Sequence, residues 1–177
     1  MALDRLDLTD FRNHAVLSVH PQGRFIILHG ANGAGKTNIL EAVSLLVPGR
    51  GLRRSNLHEM ARQGGGGGFA VAAKLDETSL GTAASAEAPG RRIVHINGAN
   101  AAINDLAEWL SILWLTPAMD RLWSGAAGDR RRFFDRLTLA RAAQHGTAAA
   151  AYERAMREWL DRDVTFRFVS NVDGTDI

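Results

Sequence analysis

One octapeptide constrains this chain more than anything else in it. Gly30-Ala31-Asn32-Gly33-Ala34-Gly35-Lys36-Thr37 fills the pattern G-x-x-x-x-G-K-[ST] at every fixed position. Its context fits as well. The apolar run Phe25-Ile26-Ile27-Leu28 precedes it, as expected of a strand buried on both faces. After Gly35 the period changes, and Ile39, Leu40, Val43, Leu46 and Val47 fall on one side of a predicted helix ended by Pro48-Gly49. A strand, a glycine-rich turn and a helix in this order form a phosphate cradle. Glycines let successive backbone N–H groups turn inward without side chains in the way. The helix adds its positive N-terminal end. Lys36 brings a mobile cation for the β- and γ-phosphates, and the Thr37 hydroxyl is the expected magnesium ligand. The motif predicts ATP and Mg2+ as cofactors, held by Gly30 to Thr37 and the adjoining Asn38.

The rest of the chain narrows the class. A GTPase needs an N-K-x-D guanine reader, yet the two lysines, Lys36 and Lys74, follow glycine and alanine. It also needs D-x-x-G, and no aspartate here has glycine three residues on. Hydrolysis calls for a carboxylate at the end of a buried strand. The one candidate, Leu75-Asp76-Glu77, follows a half-exposed pattern containing Lys74 and reads as a charged strand end. No residue is therefore assigned a catalytic role, and nucleotide binding without useful turnover is expected. A small-molecule kinase built on the same loop is a competing reading.

Elsewhere, Leu6, Leu8 and Phe11, then Val16 or Leu17 and Val19, alternate like two short strands. Arg50 to Gly68 reads as a polar surface loop with a helical turn near Asn56 to Arg62. Phe69, Val71 and Ala73 restart a strand. Ala83 to Gly90 reads as loop, and Arg91 to Ile96 is a strand entering the Asn97-Gly98 hairpin signal. Ile103 to Trp109 is a predicted short helix capped by Asn104, and Ile112 to Leu115 a predicted strand. From Asp129, placed as an N-cap, a helical pattern runs to about Asp161. The predicted class is α/β: a P-loop NTPase lobe of mixed sheet, followed by the start of a helical lobe. Trp109, Trp114 and Trp123 are expected to fill the core beneath that lobe.

The formal net charge of +2 excludes a generally cationic nucleic-acid coat. Arginines cluster instead, at Arg50, Arg53 and Arg54 and again at Arg130, Arg131 and Arg132. The loop arginines are candidates for DNA or partner contact; those opening the helix are divided between phosphate contact and pairing with Asp129 or Asp135. There are no cysteines, so disulfides and thiolate metal sites are excluded. The histidines lack metal-ligand spacing. The N-terminus does not read as a signal peptide, no apolar stretch reaches membrane length, and a cytoplasmic protein is expected.

Three segments together resemble one family. They are Asp10-Phe11-Arg12-Asn13; the loop with its continuation Asn38-Ile39-Leu40-Glu41-Ala42 and Pro48-Gly49-Arg50; and Trp114-Leu115-Thr116-Pro117-Ala118-Met119-Asp120-Arg121-Leu122 with Arg130-Arg131-Arg132-Phe133-Phe134-Asp135-Arg136-Leu137. The pattern resembles the RecF family of bacterial DNA replication and repair proteins, ABC-type ATPase heads related to SMC proteins. The resemblance implies ATP-dependent homodimerisation and binding of single-stranded DNA or single-strand/double-strand junctions. It also implies work with RecO and RecR in loading RecA, and support of the SOS response. It adds Arg12 to the nucleotide contacts. The family's signature motif and Walker B aspartate have no counterpart here. On this reading residues 1–116 form an ATP-binding lobe, 117–157 the start of a helical lobe, and 158–177 a divergent tail, frameshifted or otherwise foreign. A non-functional product exposing Phe133, Phe134 and Leu137 is the remaining alternative.

Overall fold

Alternating side chains and two-residue turns build a meander. A computed structural model describes residues 3–23, 25–142 and 144–160. Strands β1 (Arg5–Phe11) and β2 (His14–Val19) form a hairpin with Phe11 opposite His14. On its other side β1 pairs with β3 (Phe69–Leu75), followed by β4 (Thr78–Ala84), β5 (Ile93–Ile96) and β6 (Ala99–Asn100). The order is β2-β1-β3-β4-β5-β6, and each ladder is antiparallel. The expected mixed sheet is thus antiparallel among the described residues. The turns explain it: Asp76-Glu77 joins β3 to β4, and Asn97-Gly98, both at positive φ, joins β5 to β6. Strand β4 was not anticipated. Only Leu80 in Thr78-Ser79-Leu80-Gly81-Thr82-Ala83-Ala84 is large and apolar, so the alternation is carried by small residues.

One face of the sheet is dry. Leu6 and Leu8 lie opposite Ala73 and Val71, Leu80 opposite Ala73, and Val94 opposite Thr82; all are buried. Over them pack α1 (Lys36–Ser44), its continuation through Leu45 and Leu46, Met60 of the short α2 (Leu57–Met60), and Leu106. Each buried leucine or phenylalanine contributes about 1.5–3 kcal/mol, which makes this cluster the anchor of α1. The helix ends near Ser44, before Pro48. Its inward face is Ala42, Leu45 and Leu46, whereas Leu40, expected inside, is half exposed.

The tie after α1 is a cation. Arg92, just before β5, donates from Nε to Thr82 Oγ1 at 2.8 Å and from Nη1 to the Gly49 carbonyl at 2.8 Å. Its Nη2 reaches the carbonyls of Leu45 and Val47. Burial lowers its pKa to about 10, and the carbonyls it collects are those of the α1 C-cap, Leu45, and of the turn that follows it.

Several expectations are corrected. Phe25 to Leu28 forms no strand: Phe25 is 90% and Ile27 84% exposed. Ile112 to Leu115 is likewise unpaired, with Leu115 76% exposed. Neither run finds a ladder partner among the described residues, and an unpaired strand has nothing to hold it. The helical stretch is two helices, α3 (Ala127–Leu139) and α4 (His145–Leu160). The N-cap of α3 is Ala126, with Asp129 in its first turn. Gly146 permits the close return: a Cβ there would lie 3.3 Å from Leu139 Cδ1. Residues 103–108 form a 3-10 turn that starts after Ala102, whose N–H donates to Asp105; Asn104 is not the cap. Trp109 and Trp123 are exposed rather than core, while Trp114 lies half buried beneath Arg136. Most of the tail expectation, residues 161–177, falls outside the described residues.

Candidate functional site

The glycine-rich loop forms the turn its sequence requires. Gly30, Gly33 and Gly35 all have positive φ, at 140°, 86° and 91°. Gly35 is the N-cap of α1, and a side chain there is excluded twice. Besides its left-handed backbone, a Cβ would lie 2.5 Å from His14 Nε2 and 2.7 Å from Asn13 Oδ1. The β1–β2 hairpin tip therefore presses directly on the helix start. Asn13 Oδ1 accepts from Asn38 Nδ2 at 2.8 Å, which ties the first turn of α1 to the hairpin.

Within the loop, Ala34 N–H donates to the Ala31 carbonyl at 3.3 Å. Lys36 curls back, with Nζ donating to the carbonyls of Gly30 at 2.8 Å and Ala31 at 2.7 Å. Those carbonyls hold the ammonium over the loop, where a phosphate would compete for it. Ala31, Asn32, Gly33 and Ala34 are exposed around this turn, and Thr37 stands exposed on the first turn of α1. The structure thus brings Gly30 to Asn38 together as one surface.

Arg12 takes a second position, behind the loop. Its Nε and Nη2 grip both oxygens of Glu41 at 2.8 and 2.7 Å, Nη2 also meets Ser55, and Nη1 donates to the Glu59 carbonyl. Arg53 adds a further bond to Glu41 at 2.9 Å and one to Asn38 at 2.7 Å. Glu41, wholly buried on α1, is thereby bonded to two guanidinium groups. A buried carboxylate needs such neutralisation, and removing either cation would leave it costly. Arg12 itself has φ 55°, a conformation uncommon for a side chain of its size. Sequence reading missed Glu41, because a lone acid on an amphipathic helix looks like its solvated face.

The other expected sites are distributed. Asp76-Glu77 occupies the β3–β4 turn. Arg131 and His145 both pair with Asp135, and Arg132 pairs with Asp129. Among the described residues no cluster of three His, Asp or Glu could hold a metal ion, and no helix is long and apolar enough to cross a membrane.

No protein-family model matches the chain. It is 52% identical over 161 residues to the DNA replication and repair protein RecF of Mesorhizobium japonicum, a match covering 88% of this chain and 42% of that protein. It is equally 52% identical over 163 residues to the RecF of Rhizobium etli, covering 89% and 44%. The chain spans less than half the length of these curated relatives. In fold it is similar to a solved structure of the recombination mediator protein RecF-ATP in the RecFOR pathway, with a TM-score of 0.75 at 19% identity, over 88% of this chain and 43% of that one.

Proposed function

We propose that this chain, a RecF homologue over nearly nine-tenths of its length, is the nucleotide-binding portion of an ATP-dependent DNA replication and repair protein. The observation that carries the proposal is the loop from Gly30 to Thr37, with Gly35 locked against Asn13 and His14. The residues fit ATP. The backbone N–H groups of the glycine turn and Lys36, whose Nζ now rests on the Gly30 and Ala31 carbonyls, would hold the phosphates, and the Thr37 hydroxyl would hold a magnesium ion that neutralises phosphate charge. Asn38 fixes the helix start. Arg12 supports the same wall through Glu41, and direct contact with the nucleotide requires it to leave that carboxylate.

Turnover is a separate matter. Glu41, the buried acid behind the loop, has both carboxylate oxygens bonded to Arg12 and Arg53 rather than open to the phosphate cradle. We therefore expect binding without steady-state hydrolysis. By homology the partners are DNA, as single strands or junctions, and RecO- and RecR-type mediators; ATP-dependent pairing of two heads belongs to the same reading. The lobes fall at residues 1–116 and 117–157, in a cytoplasmic protein.

A titration with a fluorescent ATP analogue, with and without single-stranded DNA, tests this. Lys36→Ala should weaken nucleotide binding at least tenfold, equivalent to about 1.4 kcal/mol, while leaving the thermal transition in place. Equal affinity in the variant defeats the proposal, and Lys36-dependent phosphate release defeats the expectation of no turnover. A second reading is supported by the exposure of Phe25 and Ile27 directly before the loop. It is that of a chain whose sheet folds but whose P-loop lacks support, a non-functional product.

A further inference from the structure

Three arginines meet on the far side of the loop that follows α1, and the nucleotide site uses none of them. Arg54 comes from that loop; Arg132 and Arg136 lie one turn apart on α3. All three line two adjoining clefts of about 260 and 390 Å³, with Trp114 between them. Like charges are not gathered this way for stability. Arg136 Nε is buried and has no hydrogen-bond partner among the described residues; the guanidinium stacks over Trp114 at 5.0 Å. Burial first, then the charges of Arg54 and Arg132, lowers the Arg136 pKa. Arg54 has no ion pair or hydrogen bond among the described residues, and its backbone sits at φ 59°. A strained, unpaired cation beside a buried, unsatisfied one has the character of a binding site.

The neighbouring acids do not neutralise the cluster. In the larger cleft the one carboxylate among the described residues is Asp129, paired with Arg132. In the smaller, Asp135 is engaged by Arg131 and His145, and Glu153 faces Arg157 at 4.0 Å. The cleft thus presents three guanidinium groups against one acid, on a floor formed by Trp114, Leu52, Met119 and Leu122. Guanidinium forks match phosphate oxygens, and an apolar, aromatic floor accepts sugars and bases.

From this geometry we infer that Arg54, Arg132 and Arg136 form a phosphodiester-binding site for single-stranded DNA, separate from the nucleotide loop. The inference rests on the DNA reading of the proposed function. It assigns Arg54 and Arg132 to backbone phosphates, Arg136 to the phosphate between them, and the Trp114 side of the cleft to a sugar or base. No covalent step is involved.

Arg54→Gly is the informative variant. It removes the cation and also the Cβ at a left-handed position, so a purely structural arginine would be improved upon and a binding arginine would be lost. Binding of the full chain to fluorescein-labelled oligothymidylate is followed by anisotropy over a salt series. Arg54→Gly should raise the melting temperature, weaken binding roughly three- to tenfold, and reduce the slope of log K against log salt by about 0.7, the value for one single-strand phosphate contact. Arg54→Lys should retain most of the affinity. Arg5→Gln, whose arginine pairs with Asp7 on the sheet, should bind as the unaltered chain does. Unchanged affinity and slope in Arg54→Gly overturns this site and leaves DNA binding standing elsewhere. No binding by the unaltered chain overturns the DNA reading together with it.

Discussion

At the scale of the residue, Gly35 joins two parts of the molecule. Its φ of 91° suits glycine, and its missing Cβ is the gap through which Asn13 and His14 reach the helix start. Gly35→Ala should therefore cost at least about 1–2 kcal/mol from the backbone alone. It should also push the hairpin tip away from the loop. Chemical denaturation and the fluorescent-ATP titration should both register the change; a variant that is as stable as the parent and binds equally well removes the argument. The motif's glycines were legible in the sequence because a fixed spacing carries them. What Gly35 touches was not, since Asn13 and His14 are brought there by a strand pairing that no local pattern encodes. Glu41 was hidden for the same reason: its meaning depends on Arg12 and Arg53, 29 and 12 residues away.

At the scale of the element, the ties between segments are made by arginine side chains. Arg92 holds the turn after α1 against the sheet through four acceptors. Arg92→Met keeps much of the stem and removes those bonds, and we expect a loss of roughly 2–3 kcal/mol in denaturant unfolding, from carbonyls left without a charged donor. A change under about 0.5 kcal/mol would mean that water replaces the guanidinium at no cost. A second tie joins β1 to the loop of residues 62–68 that precedes β3. Asp10 accepts from Arg62 at 2.7 Å, and this bond, reinforced by the Gly66 N–H against a smaller opposing effect of burial, depresses its pKa below the ordinary 3.8. The sign follows from linkage: the unfolded chain binds the proton more readily, so stability is present above about 3.8 and is lost as pH falls through the lower folded value. Melting temperatures from pH 2 to 6 should show the gap between the unaltered chain and Asp10→Asn closing at the acid end. A constant gap would place the effect of Asp10 elsewhere. Hairpins with strong turn chemistry, such as Asn97-Gly98, could be read from sequence. Strand β4 could not, because burial there falls on Thr78, Thr82 and Ala84, residues equally at home in a loop.

At the scale of the whole molecule, two apolar runs that read as central strands stand outside the sheet. Phe25 to Leu28 leads into the phosphate loop, and Ile112 to Leu115 leads into the turn that precedes α3. Their sequence patterns describe residues that belong in a ladder, and their exposure shows that the described residues offer none. The pattern was legible; its outcome depends on partners that a local reading cannot supply. Stability should therefore be uneven. Amides of β1, β3 and β4, central in the sheet, should exchange with solvent only on global unfolding, and those of residues 25–30 should exchange almost freely. A contiguous apolar surface of this kind also invites association. The chain should bind an apolar dye and self-associate with rising concentration, and Phe25→Ser with Ile27→Ser should suppress both while leaving the main thermal transition in place. If amides 25–28 prove as protected as those of β1, the segment has found a strand partner in solution, and the loop it feeds is better supported than its surroundings here indicate. If they exchange freely, support of the loop falls to Asn13, His14 and Asn38, and removing Asn13 should weaken nucleotide binding through the loop it props.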